Sequence, residues 1–394
     1  MGPLLESRSG NAGNRSLNPL SLLATHEVRG QSTSSARNHA IDGLRGLSVL
    51  LVIIGHCIPN LVFPNTGWNG ISSAGSMIEK TMIISVVVSG AFAHAGVGLF
   101  FVISGYLITL LMMKERAKHG RVSLLAFWLR RSFRIIPAFF ALIIATTFLA
   151  RAGTFHMSQQ EPAIAALFQC NLPWGGCSWW LGHSWSLAVE EQFYLLWPLL
   201  FVAIAGQSLS ATSIGLLAVT TAGGLFVPQL APFSPICTGV LLACAPRLQD
   251  RLSAFASGSA AAMICLLLTV APSLSERWPT IKMLLLLAQP VFLTVVFIAA
   301  QNRLSLFGRL MQWRMFVAIG TVSYSVYLWQ QMFTARQWYF TNLMPFWWVY
   351  MLIPVALTSY LLIEKPCTTL GRQLSNKVMR RSSARMGIAA EMAG

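Results

Sequence analysis

The sequence predicts an all-α, polytopic helical membrane protein with about ten transmembrane helices. Of its 394 residues, 55% are hydrophobic and only 10% charged, whereas soluble domains carry about 25% charged residues. That leaves too few charges to cover the two or three soluble domains this length would fill. Mean hydropathy is +0.61. Apolar runs of about 20 residues recur along the chain, and the short alternating segments of a membrane barrel are absent.

Residues 1–40 are polar, rich in Ser, Asn, Gly and Arg, and lack a sustained apolar face. They read as a disordered cytoplasmic tail, without the apolar core and cleavage site of a signal peptide. Ten spans follow, with edges good to about three residues: 44–63, 94–113, 133–150, 187–205, 210–228, 233–247, 255–274, 281–300, 315–335 and 345–363. Met82–Ser89 is apolar but too short to cross alone. It reads as a re-entrant or interfacial piece, or as an extension of the second span. Residues 41–366 thus make one transmembrane domain, and 367–394 a basic cytoplasmic tail.

Lys and Arg number 28 against 12 Asp and Glu, a net charge of +16. With the N-terminus inside, 23 of the 28 fall on the inner side, chiefly in the tails and the 114–134 loop. This is the pattern of cytoplasmic loops. Both termini are expected in the cytoplasm, and the excess is topology rather than a nucleic-acid surface.

Two larger segments, about 64–93 and 151–186, fall on the outer side. The second holds Cys170 and Cys177, which could form a disulfide in an oxidising compartment. Cys57, Cys237, Cys244 and Cys265 lie in apolar spans and read as small hydrophobes. No zinc spacing is present. Trp68, Trp174, Trp179 and Trp180 could stack on sugar rings, but read better as an interfacial belt.

Ionisable groups at membrane depth mark functional sites by default. His56 is the one histidine well inside a span; His94 and His183 lie near outer ends. It reads either as a packing residue or as a general base. Arg45 lies eleven residues earlier on nearly the same helical face, roughly 16 Å away. A cation at the inner mouth and a base at depth suit a substrate with an anionic head and a reactive tail, the shape of a coenzyme A thioester. The alternative for Arg45 is a snorkelling anchor. Glu190, Tyr194 and Trp197 share a helix face, with Glu191 about 100° away. Glu190 is therefore preferred as the working carboxylate, with Glu191 and Tyr194 as substrate contacts; the alternative is a wet outer vestibule. Asp42 and Glu364 sit at span ends, within reach of solvent or headgroups. Arg131 and Arg134 stand one helical turn apart and could hold a phosphate bidentately, or serve topology and anionic lipid.

Six ordered strings carry a family resemblance: IDGLRGLSVLLVIIGH (41–56), GVGLFFVISGYLIT (96–109), RRSFRIIP (130–137), HSWSLAVEEQFYLLWP (183–198), IGTVSYSVYLWQ (319–330) and YLLIEKP (360–366). Through them the chain resembles the acyltransferase-3 family of bacterial membrane O-acyltransferases. The resemblance implies transfer of an acetyl or other short acyl group from cytoplasmic acyl-CoA to a hydroxyl, commonly of an envelope or secreted glycan. It selects Arg45 with His56, Arg131 with Arg134, and Glu190. Three departures stand out. Gly98 replaces a common Asp. Gln330 replaces a common His and, being unable to act as a base near neutral pH, is assigned no catalytic role. Only a short tail follows Pro366, where some members carry a hydrolase-like domain.

The expectation is a multi-pass O-acyltransferase of the bacterial inner membrane, with His56 as general base on the acceptor hydroxyl. Arg45, Arg131 and Arg134 would hold the CoA phosphates, and Glu190 would orient the imidazole, steady the imidazolium or hold the sugar. An acyl-histidine route is also open. Acyl-CoA, acetyl-CoA first, is the donor; no metal or permanently bound cofactor is required. Expected partners are a glycan or glycolipid acceptor and membrane lipids, with room for a homo-oligomer or glycan-synthesis partners. The competing class is a transporter or flippase for a polar lipid or glycan, which often has two related halves; no internal repeat is evident. A membrane scaffold would leave His56 dispensable.

Overall fold

The computed structural model describes residues 38–62, 77–204, 208–256, 258–274, 278–334 and 347–393. Among them the chain is helical, with no strand. The expectation of disorder for residues 1–40 falls outside the described residues up to position 37. Helix α1 (His39–Val62) already includes the last two of those forty.

Helix α2 (Met77–His119) has 43 residues, about 65 Å at helical rise, roughly twice a bilayer's hydrocarbon thickness. Met82–Ser89 is thus part of α2, and the re-entrant alternative is set aside. Helix α3 (Leu124–Arg151) starts at an N-cap, where Ser123 accepts from the Ala126 amide at 3.3 Å. The short α4 (Glu161–Ala166) and α5 (Trp179–Gly182) lead into α6 (Ser184–Ala203). Then follow α7 (Leu209–Gly223), α8 (Phe233–Cys244), α9 (Pro246–Ala256), α10 (Ser259–Leu274) and α11 (Pro279–Gln301). A short α12 (Leu306–Met311) precedes α13 (Arg314–Thr334) and α14 (Trp347–Ser359). A π-helical turn, Tyr360–Glu364, joins α14 to α15 (Lys365–Ala393), so the basic C-terminal segment is helical and packs along α3.

Each of the ten expected spans corresponds to a helix. Among the described residues, four segments are long and apolar enough to cross a membrane: His39–Cys57, Gly90–His119, Leu124–Arg151 and Pro279–Gln301. Helices α7, α8 and α10 are apolar but shorter. Helices α6 and α13 are less apolar because they carry polar side chains into the interior: Ser186 and Tyr194 on α6, Ser325, Gln330 and Gln331 on α13 are all buried.

Helix α1 packs between α2 and α13. The α1–α13 approach depends on missing side chains. A Cβ on Gly320 would run into the Asp42 carbonyl, and one on Gly43 into the Met311 carbonyl. This contact sets the two backbones side by side and carries the far turn of α13 to the far turn of α1. Helix α2 contributes to both main apolar clusters, one with α3, α6, α8 and α13, the other with α1, α10 and α11.

Candidate active site

A cavity of about 80 Å³ opens between α1, α2, α3, α6 and α13. Its wall includes Arg45, Arg131, Arg134, Ser104, Glu190 and Tyr194. Three guanidinium groups from two helices therefore face one space. The basic loop has divided its labour. Arg130 pairs with Glu115 at 2.8 Å and donates to Ser375 at 2.7 Å, tying α3 to α2 and α15. Glu115 also accepts from the Ser123 amide at 2.7 Å. Arg45 stands 3.7 Å from Asp42. Among the described residues no carboxylate is salt-bridged to Arg131 or Arg134. Arg131 instead lies over the Phe127 and Tyr194 rings, at 5.9 and 5.6 Å.

Glu190 is held by hydroxyls. Ser104 donates to its Oε1 at 2.7 Å, and Tyr194, one turn along α6, donates to its Oε2 at 2.9 Å. The carboxylate thus fixes the Tyr194 ring beneath Arg131. Glu191 is not in the cavity wall. Its Oε1 is buried and has no hydrogen-bond partner among the described residues.

His56 lies toward the opposite end of α1 from Arg45 and is not part of that wall. Its Nδ1 is 2.8 Å from Oε1 of Gln330. Trp179 meets the ring edge-on at 5.4 Å and donates from Nε1 to the Gln331 carbonyl at 3.1 Å. Tyr327, one turn before Gln330 on α13, does line the cavity. Its hydroxyl meets Ser186 at 2.5 Å and donates to the His183 carbonyl at 3.0 Å. One helix face thus runs from the arginine-lined cavity to the imidazole.

Several sequence expectations need correction. Asp42 and Glu364 are buried at 8% and 5% exposure, not open to solvent; Glu364 accepts from Ser325 at 2.8 Å. Trp180 is buried and stacks on Phe155, so it belongs to no exposed belt. Trp174 and Trp179 are exposed, and Trp68 lies outside the described residues. Cys170 and Cys177 are disulfide-bonded, with Cα atoms 5.6 Å apart. Gln330, given no role from sequence, is the hydrogen-bond partner of His56. The signal was present in the buried amide of YLWQ, three residues after a tyrosine. Ser104 was likewise inside a matched string and passed over. Gly98 faces Leu293, with a Cβ position 3.6 Å from Cδ1, an apolar setting that would not pair the Asp common in its place.

The family described as "Acyltransferase domain" (acyltransferase 3) matches residues 38–364. The O-acetyltransferase OatA of Staphylococcus aureus (strain NCTC 8325 / PS 47) is 35% identical over 177 residues, covering 40% of this chain and 24% of that protein. A second S. aureus protein (strain COL), provisionally named an O-acetyltransferase, is 32% identical over 182 residues, covering 42% of this chain and 24% of that protein. The chain spans about a quarter of the length of these relatives. No solved structure matches it.

Proposed function

Because the chain belongs to the acyltransferase-3 family, we propose that it is a multi-pass membrane O-acyltransferase moving an acetyl or similar short acyl group from acyl-CoA to a hydroxyl. The proposed acceptor is a glycan or glycolipid on the far side of the inner membrane. The observation that carries the reading is the cavity wall that gathers Arg45 of α1, the helix that also bears His56, with Arg131 and Arg134 of α3.

In this reading the CoA phosphates lie against the three arginines, and the basic ends of α1 and α3 face the cytoplasm. The pantetheine arm extends past Ser104 and Tyr327 toward His56. The imidazole takes the acceptor's proton as the hydroxyl oxygen attacks the thioester carbon; the C–S bond breaks, and the proton goes on to the departing CoA thiolate. Glu190 belongs to the donor end, where it holds Tyr194 under Arg131. The imidazole is oriented by a different group. No step of this reading calls for a metal.

The test is to incubate the purified full-length chain with radiolabelled acetyl-CoA and a panel of mono- and oligosaccharides, then to locate the label. The expected result is an ester on a sugar hydroxyl, abolished in His56→Ala protein of normal abundance and membrane insertion. Full transfer by His56→Ala would remove His56 as the base.

A further inference from the structure

An imidazole acts as a base only through the ring nitrogen that carries no hydrogen, and the hydrogen bond made by the other nitrogen decides which that is. At His56 the deciding group is Gln330. Its Oε1, 2.8 Å from Nδ1, is an amide oxygen and can only accept. The same oxygen receives the Thr334 hydroxyl at 3.3 Å, and that hydroxyl also donates to the Gln330 carbonyl at 3.0 Å. With this oxygen as the partner, the hydrogen belongs on Nδ1 and Nε2 is left with its lone pair.

The amide's Nε2 is buried without a hydrogen-bond partner among the described residues, so its oxygen carries the side chain's hydrogen bonds. Gln330 is fully buried, on a helix anchored one turn earlier through Tyr327 to Ser186 and the His183 carbonyl. The next residue, Gln331, receives the indole of Trp179, which covers the imidazole edge. Successive residues of α13 thus fix the ring and its cover. The titratable group acting on His56 among the described residues is the imidazole of His94 on α2, and His56 in turn acts on His183, just before α6.

We propose that Gln330 is the positioning residue of the reaction: it holds His56 in the Nδ1–H tautomer, aims Nε2 at the acceptor hydroxyl, and supplies no charge. The inference rests on the reading of His56 as base. A carboxylate in this place would add a full negative charge and favour the imidazolium much more strongly; the amide orders the ring without that charge.

The test compares wild type with Gln330→Met, Gln330→Glu and His56→Ala in the purified full-length chain, using acetyl-CoA and the best acceptor of the saccharide panel. Gln330→Met should lower kcat by about 100-fold, the loss expected of a misplaced catalytic group, with acetyl-CoA binding unchanged. Gln330→Glu keeps an acceptor at Nδ1, so it should retain turnover while the acid limb of its pH–rate profile moves to higher pH. Nitrogen NMR of histidine-labelled wild type should show His56 protonated at Nδ1. A wild-type kcat in Gln330→Met, an unmoved pH profile in Gln330→Glu, or protonation at Nε2 would each overturn the proposal. An active His56→Ala would instead overturn the reading of His56 as base. An inactive His56→Ala beside an unaffected Gln330→Met overturns the positioning role alone.

Discussion

Arg131 and Arg134 separate two explanations that the sequence left side by side. A topology anchor has no need of a cavity, yet both guanidinium groups line one, and Arg130 beside them is spent on Glu115 and Ser375. Charge-assisted hydrogen bonds are worth roughly 1.5–3 kcal/mol each. Arg134→Ala should therefore weaken acyl-CoA about tenfold or more, measured by equilibrium binding to purified protein. Arg134→Lys should restore only part of this, because a point charge cannot reproduce the fork. Equal affinities for wild type and Arg134→Ala would return the arginine to topology. The two glutamates make a paired prediction. Glu190→Gln disturbs a carboxylate that two hydroxyls hold, so acyl-CoA binding and turnover should both fall. Glu191→Gln should be milder, since Glu191 lines no part of the cavity. Helical periodicity alone separated these two side chains. It could not show what Glu190 touches, because Ser104 lies 86 positions away on another helix.

Hydropathy located the ten helices, since apolar runs of that length have few other uses. It could not rank them by burial or pair them, because partners are chosen by surface shape. The α1–α13 contact illustrates this: it depends on Gly43 and Gly320, which look unremarkable among 30 glycines. Gly320→Ala forces a methyl group into the Asp42 carbonyl, and overpacking of this kind costs about 1–3 kcal/mol. Thermal unfolding in detergent should show the loss, with turnover falling further because the Gln330–His56 register moves too. Gly98→Ala is the control. Its Cβ would meet Leu293 at ordinary contact distance, so stability should hold or rise by up to about 1 kcal/mol, the helix preference for Ala over Gly. Equal destabilisation by both substitutions would mean that close approach to the Asp42 carbonyl does not set the cost, since helix propensity favours Ala over Gly at both positions.

At the scale of the whole molecule, charge bias and geometry bear on which way the protein faces. The positive-inside count assigns the arginine-lined end of the cavity to the cytoplasm, the compartment that would supply acyl-CoA. In that orientation the disulfide-bonded segment between α3 and α6 would lie outside, where such bonds persist. Single-cysteine labelling tests both assignments together. Of the free cysteines among the described residues, Cys57, Cys265 and Cys367 are half-buried, so all three must be replaced first. Lys118→Cys at the end of α2 and Gln373→Cys on α15 place thiols at exposed positions on the basic side, and Gln160→Cys places one before α4. In intact cells an impermeant maleimide should label only position 160, with 118 and 373 reacting after permeabilisation. Labelling of 373 but not 118 in intact cells would require an odd number of crossings between them. Labelling of 118 in intact cells would put the arginines on the side without acyl-CoA, and the donor-in, acceptor-out reaction would have no route.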